Sequence, residues 1–506
     1  MALFARSETG IGRGERAESR LEAPFFAVAM VFSAIALFVF HLLVGNNSYT
    51  VALGICFLTF GATVIRVEIG IYILVLAMLL SPEIGAGSVG AAGERDVNLR
   101  YDDVLIIVIF MGVLVKQAFE GRAILWRPSP INSGILVYYG ICIVATLDAL
   151  RISVPSWDRA VAFFVMLKML EFYLIYFMVG LVITTPTSIR RQLTFFMCIA
   201  LVISGYGIFT IGTLDRIGAP FEAGGIEPNT LGGYLSIVIV VALGLFMYAP
   251  RRRQKALLFG LAVAAFVPMI WTLSRASYMA VVAGLAALAI LSKRGMFAVV
   301  LIVFIVLSPF FMPDKAVERV KYTFQQESGV PLTIAGRETN LKVDKSTYER
   351  IYVWQKVRFN LGVWPWLGGG VAWETVLDSQ YARVLIETGI LGMIAFSFLL
   401  VQILRTTHQA FRWSRDWMFK GLALGVTAAT VGLIVHGMGT ISFLIVRIME
   451  PFWFLLALTV ALRAIALEDH AKRLREYREK QARSEEESGP ESQAPPLPAV
   501  PNGTPV

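Results

Sequence analysis

Three cysteines and four histidines in 506 residues leave this chain little material for redox or metal chemistry. Cys56, Cys142 and Cys198 all fall inside apolar runs, which excludes a disulfide framework and any CxxC metal spacing. His41, His408, His436 and His470 share no ligand spacing, so neither a metal nor a cofactor is expected. Charge is scarce as well, at 16% of residues against about 25% in ordinary soluble domains. No DxD, Walker or GxGxxG pattern occurs, which removes support for a soluble nucleotide donor or a nucleotide-driven pump. Period-two alternation is missing from the apolar stretches, which argues against a barrel.

What the chain has is apolar length. Hydrophobic residues make up 57% of it. A helix needs about 20 apolar residues to cross a hydrocarbon core, and in lipid every backbone polar group must be satisfied within the structure. The sequence therefore predicts an all-α, polytopic integral membrane helical bundle of about fourteen transmembrane helices. The expected spans are 24–44, 48–65, 67–81, 103–118, 131–148, 160–183, 189–212, 229–248, 256–273, 275–291, 295–312, 380–404, 417–437 and 441–463. A cytoplasmic N-terminal segment, 1–23, precedes a bundle over 24–312. A large hydrophilic loop, 313–379, is expected to carry short helices. Three further spans, 380–463, lead into a largely disordered tail, 464–506, rich in Lys, Arg and Glu and then in Pro.

Basic residues set the expected orientation. Arg6, Arg13, Arg16 and Arg20 precede the first span. Every second connection after it is basic, through Arg66, Arg122 and Arg127, Arg190 and Arg191, Arg251 to Arg253, Lys293 and Arg294, and Arg405. The positive-inside rule puts both termini in the cytoplasm and the loops 82–102, 149–159, 213–228 and 313–379 outside. The net charge of +9 is thus read as topology rather than as affinity for nucleic acid. Residues 1–23 mix four Arg with four Glu, and no cleavage site follows the first span, so no cleaved leader is expected.

Some charges sit where they cost energy. Lys168 and Glu171, Arg383 and Glu387, and Arg447 and Glu450 are spaced three or four apart within spans. That spacing allows ion pairing along one helix, either to knit the bundle or to line an outward polar cavity. Arg275 follows the tight connection Thr272-Leu273-Ser274. Its guanidinium fork suits a phosphate, and it equally suits an interfacial, snorkelling role. Arg216 and Glu227-Pro228-Asn229 stand in the outer connection before a span, with Asn229 as helix cap or side-chain donor. Arg350 falls in an amphipathic segment of the large loop. Asp378 opens the segment after it, as helix cap or as general base for a hydroxyl nucleophile. His41 and His436 are reserve candidates for proton transfer.

These pieces, in order, are Arg216…Pro228-Asn229-Thr-Leu-Gly-Gly-Tyr234, Thr272-Leu-Ser-Arg275-Ala-Ser-Tyr, Arg350…Trp354, Pro365-Trp-Leu-Gly368-Gly-Gly370 and Asp378-Ser-Gln-Tyr381…Glu387-Thr-Gly389-Ile-Leu-Gly392. Together they resemble the O-antigen ligase and polymerase superfamily of bacterial envelope polysaccharide enzymes, over roughly residues 216–396. Ligases of that superfamily have a His where this chain has Asp378, so the resemblance is to the polymerase (Wzy-like) branch. It implies a metal-independent, inverting glycosyltransferase of the bacterial inner membrane, with polyprenyl-diphosphate-linked glycans as partners and no cofactor. Within it, Arg275, Arg350 and auxiliary Arg216 would contact the donor diphosphate. Asp378 would be the base, and Asn229, Tyr381, Arg383 and Glu387 would support it. A chain-length regulator or copolymerase is a further partner the resemblance implies. Ligation to another acceptor, or flipping of a lipid-linked oligosaccharide, remain the alternative readings.

Overall fold

Uninterrupted apolar segments close their backbone hydrogen bonds most simply as helices, and helices dominate. The computed structural model describes residues 47–82, 100–121, 127–152, 159–213, 216–222, 227–293, 330–334, 337–343, 345–373 and 378–488. Its helices are α1 (Asn47–Ile65), α2 (Val67–Leu80), α3 (Tyr101–Phe119), α4 (Pro130–Ile152), α5 (Arg159–Val182), α6 (Pro186–Phe209), α7 (Pro228–Tyr248), α8 (Arg252–Trp271) and α9 (Arg275–Ser292). After a short hairpin come α10 (Lys345–Val363), α11 (Gln380–Trp413), α12 (Trp417–His436) and α13 (Val446–Ser488). Among the described residues nine helices are long and apolar enough to cross a membrane, α4 to α9 and α11 to α13. Val51–Ile65 of α1 and Val67–Leu80 of α2 are shorter apolar stretches. α3 carries Asp102, Asp103 and Lys116 within its length. This is an all-α bundle of membrane-spanning character. The segments expected at 24–44 and 295–312 lie outside the described residues.

The large loop departs from the expectation of short helices alone. It holds an antiparallel hairpin, β1 (Val330–Ile334) paired with β2 (Arg337–Val343), ahead of α10. Hairpin pairing depends on contacts across a turn that a helix-period reading does not weigh. At the other end, α13 runs on to Ser488, well beyond the expected span.

α7 is the hub: almost every residue in it is buried, and it packs on α8, α9 and α12. Small residues permit that closeness. A Cβ on Gly244 would stand 2.8 Å from both the carbonyl oxygen of Gly421 and the Cα of Gly425 on α12. Lipid tails are as apolar as side chains, so close backbone packing of this kind is what holds membrane helices together.

α11 is not one continuous helix. Gly389 takes φ 63°, outside helical geometry, and divides it. The groups freed at the break are bonded by residues 365–370. Gly369 and Gly370 donate their N–H groups to the carbonyls of Ile386 and Glu387, each at 2.9 Å. Ile390 and Leu391 donate to Pro365 and Trp366 at 2.9 and 3.2 Å. Non-helical backbone is tolerated within a membrane bundle where protein satisfies it, and the glycine turn supplies that satisfaction. Gly368, at φ 66°, lies so close to the break that an added Cβ would meet the Ile386 carbonyl oxygen at 2.5 Å.

Candidate active site

The site grows from the turn between α8 and α9. Only Thr272, Leu273 and Ser274 separate the two helices. So short a reversal puts Leu273 at φ 54°, a left-handed conformation that costs a branched side chain about 1–3 kcal/mol. Arg216 holds the turn in place. Its Nε donates to the Thr272 carbonyl at 3.2 Å and its Nη2 to the Leu273 carbonyl at 3.4 Å. Ser274 caps α9, accepting from the Ser277 N–H at 3.3 Å. Arg275 is the first residue of that helix and is half-buried, at the helix end where peptide dipoles favour an anion.

A chain of hydrogen bonds runs inward from this turn. The Ser274 hydroxyl donates to Asn229 Oδ1 at 2.7 Å and accepts from the Ser277 hydroxyl at 2.9 Å. Ser277 Oγ lies 3.2 Å from His436 Nε2, and His436 Nδ1 lies 2.7 Å from Ser442 Oγ. His436 and both inner serines are fully buried. Asn229 is therefore not the helix cap that its position before a span suggested. The cap position is Glu227, and Asn229 instead ties α7 to the Ser274 turn.

The start of α11 joins the same place through α12. Gln380 donates its N–H to the Gly437 carbonyl at 2.9 Å and accepts from the Phe443 N–H at 3.1 Å. The Tyr381 hydroxyl donates to the Ile434 carbonyl at 2.5 Å. These contacts bracket His436. Asp378 stands two residues before Gln380 and is half-buried. It is not the helix cap either: Ser379 holds that position and makes no side-chain cap bond.

Arg383 and Glu387 form an adjoining cluster. They pair at 2.8 Å as their spacing predicted, and both are buried. The same Glu387 oxygen accepts the Ala372 N–H at 2.9 Å, so the pair pins the glycine turn to α11. α10 packs on this stretch through Val353 and Val357 against Ala382 and Ile386. Arg350 lies one turn earlier in α10; its side chain lies outside the described residues.

Arg447 and Glu450 do not pair, contrary to their three-residue spacing. Arg447 donates to the carbonyls of Pro220 and Phe221, the second at 3.1 Å. Glu450 faces Asp102 instead. Tertiary partners outcompete a partner one turn away when both are buried. A pattern emerges at this end of the bundle. Phe221, Leu273 and Ala372 all have positive φ, and each has a backbone group bonded by a charged side chain: Arg447, Arg216 and Glu387 respectively. Charged residues here act as clamps on unfavourable backbone.

Sequence reasoning missed Glu222. It accepts the Glu227 N–H at 3.0 Å. Burial lifts its carboxyl to about 7, opposed by that N–H and by Arg447 and reinforced by the charge of Glu227. A lone Glu in a loop carries no sequence signal, because its burial comes from residues far away in the chain. Ser277 and Ser442 were also passed over, and only their contacts with His436 mark them. Among the described residues, no three His, Cys, Asp or Glu are gathered so as to hold a metal ion. No protein-family model and no curated protein matched the chain.

Proposed function

We propose that the protein is a membrane glycosyltransferase that polymerises polyprenyl-diphosphate-linked oligosaccharide repeat units on the outer face of a bacterial inner membrane. The observation that carries this reading is the Thr272–Arg275 turn. A strained three-residue reversal is clamped by Arg216 and bonded to Asn229, and it presents a guanidinium at a helix N-terminus. Diphosphate is already a competent leaving group, so the main task of such an enzyme is to neutralise charge as it develops. Preorganised cationic and dipolar groups do that without reorganising during the reaction.

In this reading Arg275 and Arg350 contact the diphosphate and Arg216 is auxiliary, fixing the turn. Asp378 accepts the proton of the acceptor hydroxyl, which attacks the anomeric carbon from the face opposite the departing diphosphate. One displacement inverts the anomeric centre, by the logic of inverting carbohydrate chemistry. Asn229 and Tyr381 hold α7 and α11 in register with the turn, and Arg383 and Glu387 hold the glycine turn. Both termini are cytoplasmic in this account, with the loop over 313–379 covering the sugars.

The test is purified protein in liposomes with polyprenyl-diphosphate repeat units and a metal chelator. Glycan lengthening on the carrier is the expected result. Full activity in both Arg275→Ala and Arg350→Ala would remove the diphosphate assignment. A ligase would instead move a finished glycan to a different acceptor, and a flippase would move label across the bilayer without forming a glycosidic bond.

A further inference from the structure

A second cluster of charged groups lies in the bundle, and the proposed reaction does not use it. Arg100 precedes α3; its Nη2 donates to the Met78 carbonyl at 3.0 Å and pairs with Asp102 at 2.7 Å. Its N–H donates to the Asp103 carboxylate at 2.8 Å. From α5, Lys168 pairs with Asp103 and, at 3.5 Å, with Glu171. Glu450 comes from the first turns of α13. Asp102 and Glu450 are wholly buried, and Arg100, Asp103 and Lys168 nearly so.

Charge does not balance here. Among the described residues the cluster sets four carboxyl groups, Asp102, Asp103, Glu171 and Glu450, against two cations, Arg100 and Lys168. Glu450 is the telling member. Neither of its oxygens receives a hydrogen bond from a donor. Its neighbour across the junction is another carboxyl, that of Asp102. Two carboxylates are both acceptors, so they bond only when one of them carries a hydrogen. Two ionised carboxylates side by side in a dry interior repel strongly and lack the water that would screen them. Among the described residues, the carboxyl groups do not form a cage fit for a metal ion. A proton satisfies every one of these conditions.

We infer that Asp102 and Glu450 share a resident proton, which makes the junction of α3, α5 and α13 a proton-binding site inside the bundle. The shared proton fastens the start of α13 to α3. Arg447, one turn earlier on α13, holds the Pro220–Phe221 loop. Loss of the proton would set two like charges against each other and loosen α13 at the end where that loop attaches.

The experiment is infrared spectroscopy of the full-length protein in detergent, with thermal melting of variants alongside. At neutral pH the wild type should show the C=O stretch of a protonated carboxyl, with a downshift in deuterium oxide. In the wild-type-minus-Glu450→Gln difference spectrum that band should remain, since Glu222 contributes equally to both proteins, and Glu450→Gln should melt close to wild type, because a neutral amide replaces a neutral acid. Glu450→Ala should melt lower. The wild type should also lose stability as pH rises above neutral while Glu450→Gln stays flat. Absence of the band from the wild-type-minus-Glu450→Gln difference spectrum would overturn the inference. So would a Glu450→Gln melting point lowered as far as that of Glu450→Ala, since that marks an ionised, salt-bridged Glu450. These readouts are independent of glycan transfer and stand whether or not the proposed reaction is correct.

Discussion

Two buried polar clusters of the bundle, one around the Ser274 turn and one around Glu450, are built on opposite plans. Around the Ser274 turn, neutral groups from α7, α9 and α12 are linked donor to acceptor, and the one guanidinium in the chain of bonds grips backbone carbonyls. Around Glu450, the described residues bring six ionisable side chains together, with more acids than bases among them and with acceptors facing acceptors. The first plan fixes geometry; every bond in it restricts where Arg275 can stand. The second plan is incomplete without hydrogen, so its state depends on pH. Buried polar groups in one membrane protein thus divide into those that hold a shape and those that hold a charge state.

That contrast can be tested by substitution, beginning with the Arg383–Glu387 pair. Glu387→Ala would leave Arg383 buried without its carboxylate and release the Ala372 N–H, at a cost of about 3–5 kcal/mol of stability. Denaturant or thermal unfolding should show this, with Glu387→Gln intermediate. Arg275→Ala should lower the rate of glycan extension by roughly 10²–10³-fold, because in the proposed reaction its guanidinium meets the developing charge. Ser277→Ala would leave His436 Nε2 without its hydroxyl partner, and the cost of a buried unsatisfied group is about 1–3 kcal/mol. A drop in stability and a partial loss of rate are expected together, since this residue positions the turn.

The smallest effect concerns Glu222. Its folded carboxyl titrates near 7, raised from the ordinary value of 4.5 by burial. The folded state therefore binds more protons than the unfolded state between those values, and stability falls as pH rises from 4.5 through 7. Glu222→Gln should remove that part of the slope. Melting curves of the two proteins, compared as a difference against pH, check it.

Much of the helical architecture was legible in the sequence, because a continuous apolar run in lipid has few other solutions. The short connection before Arg275 and the pairing of Arg383 with Glu387 were legible for the same reason: both are local. What was not legible depends on distant partners. Arg447 and Glu450 have the spacing of a pair, yet Pro220, Phe221 and Asp102 claim them. A helix cap was one of two readings for Asn229, beside side-chain donor, and for Asp378, beside general base; the caps are Glu227 and Ser379, and Asn229 accepts from a serine 45 positions away. Gly389 stood in a recognisable segment, but only its φ reveals that α11 is divided there and docked by the glycine turn. The hairpin at 330–343 was not foreseen within a loop expected to carry short helices, because its pairing depends on contacts across a turn.

The central claim is glycosyl transfer from a polyprenyl diphosphate at the Arg275 turn. Its most direct test is to supply liposomes containing the purified protein with lipid-linked repeat units bearing a labelled sugar, and to separate the products by length. The account predicts a ladder of longer glycans still attached to the carrier, abolished or sharply reduced in Arg275→Ala. Label that crosses the bilayer with no new glycosidic bond, or a ladder unchanged in that variant, would contradict it.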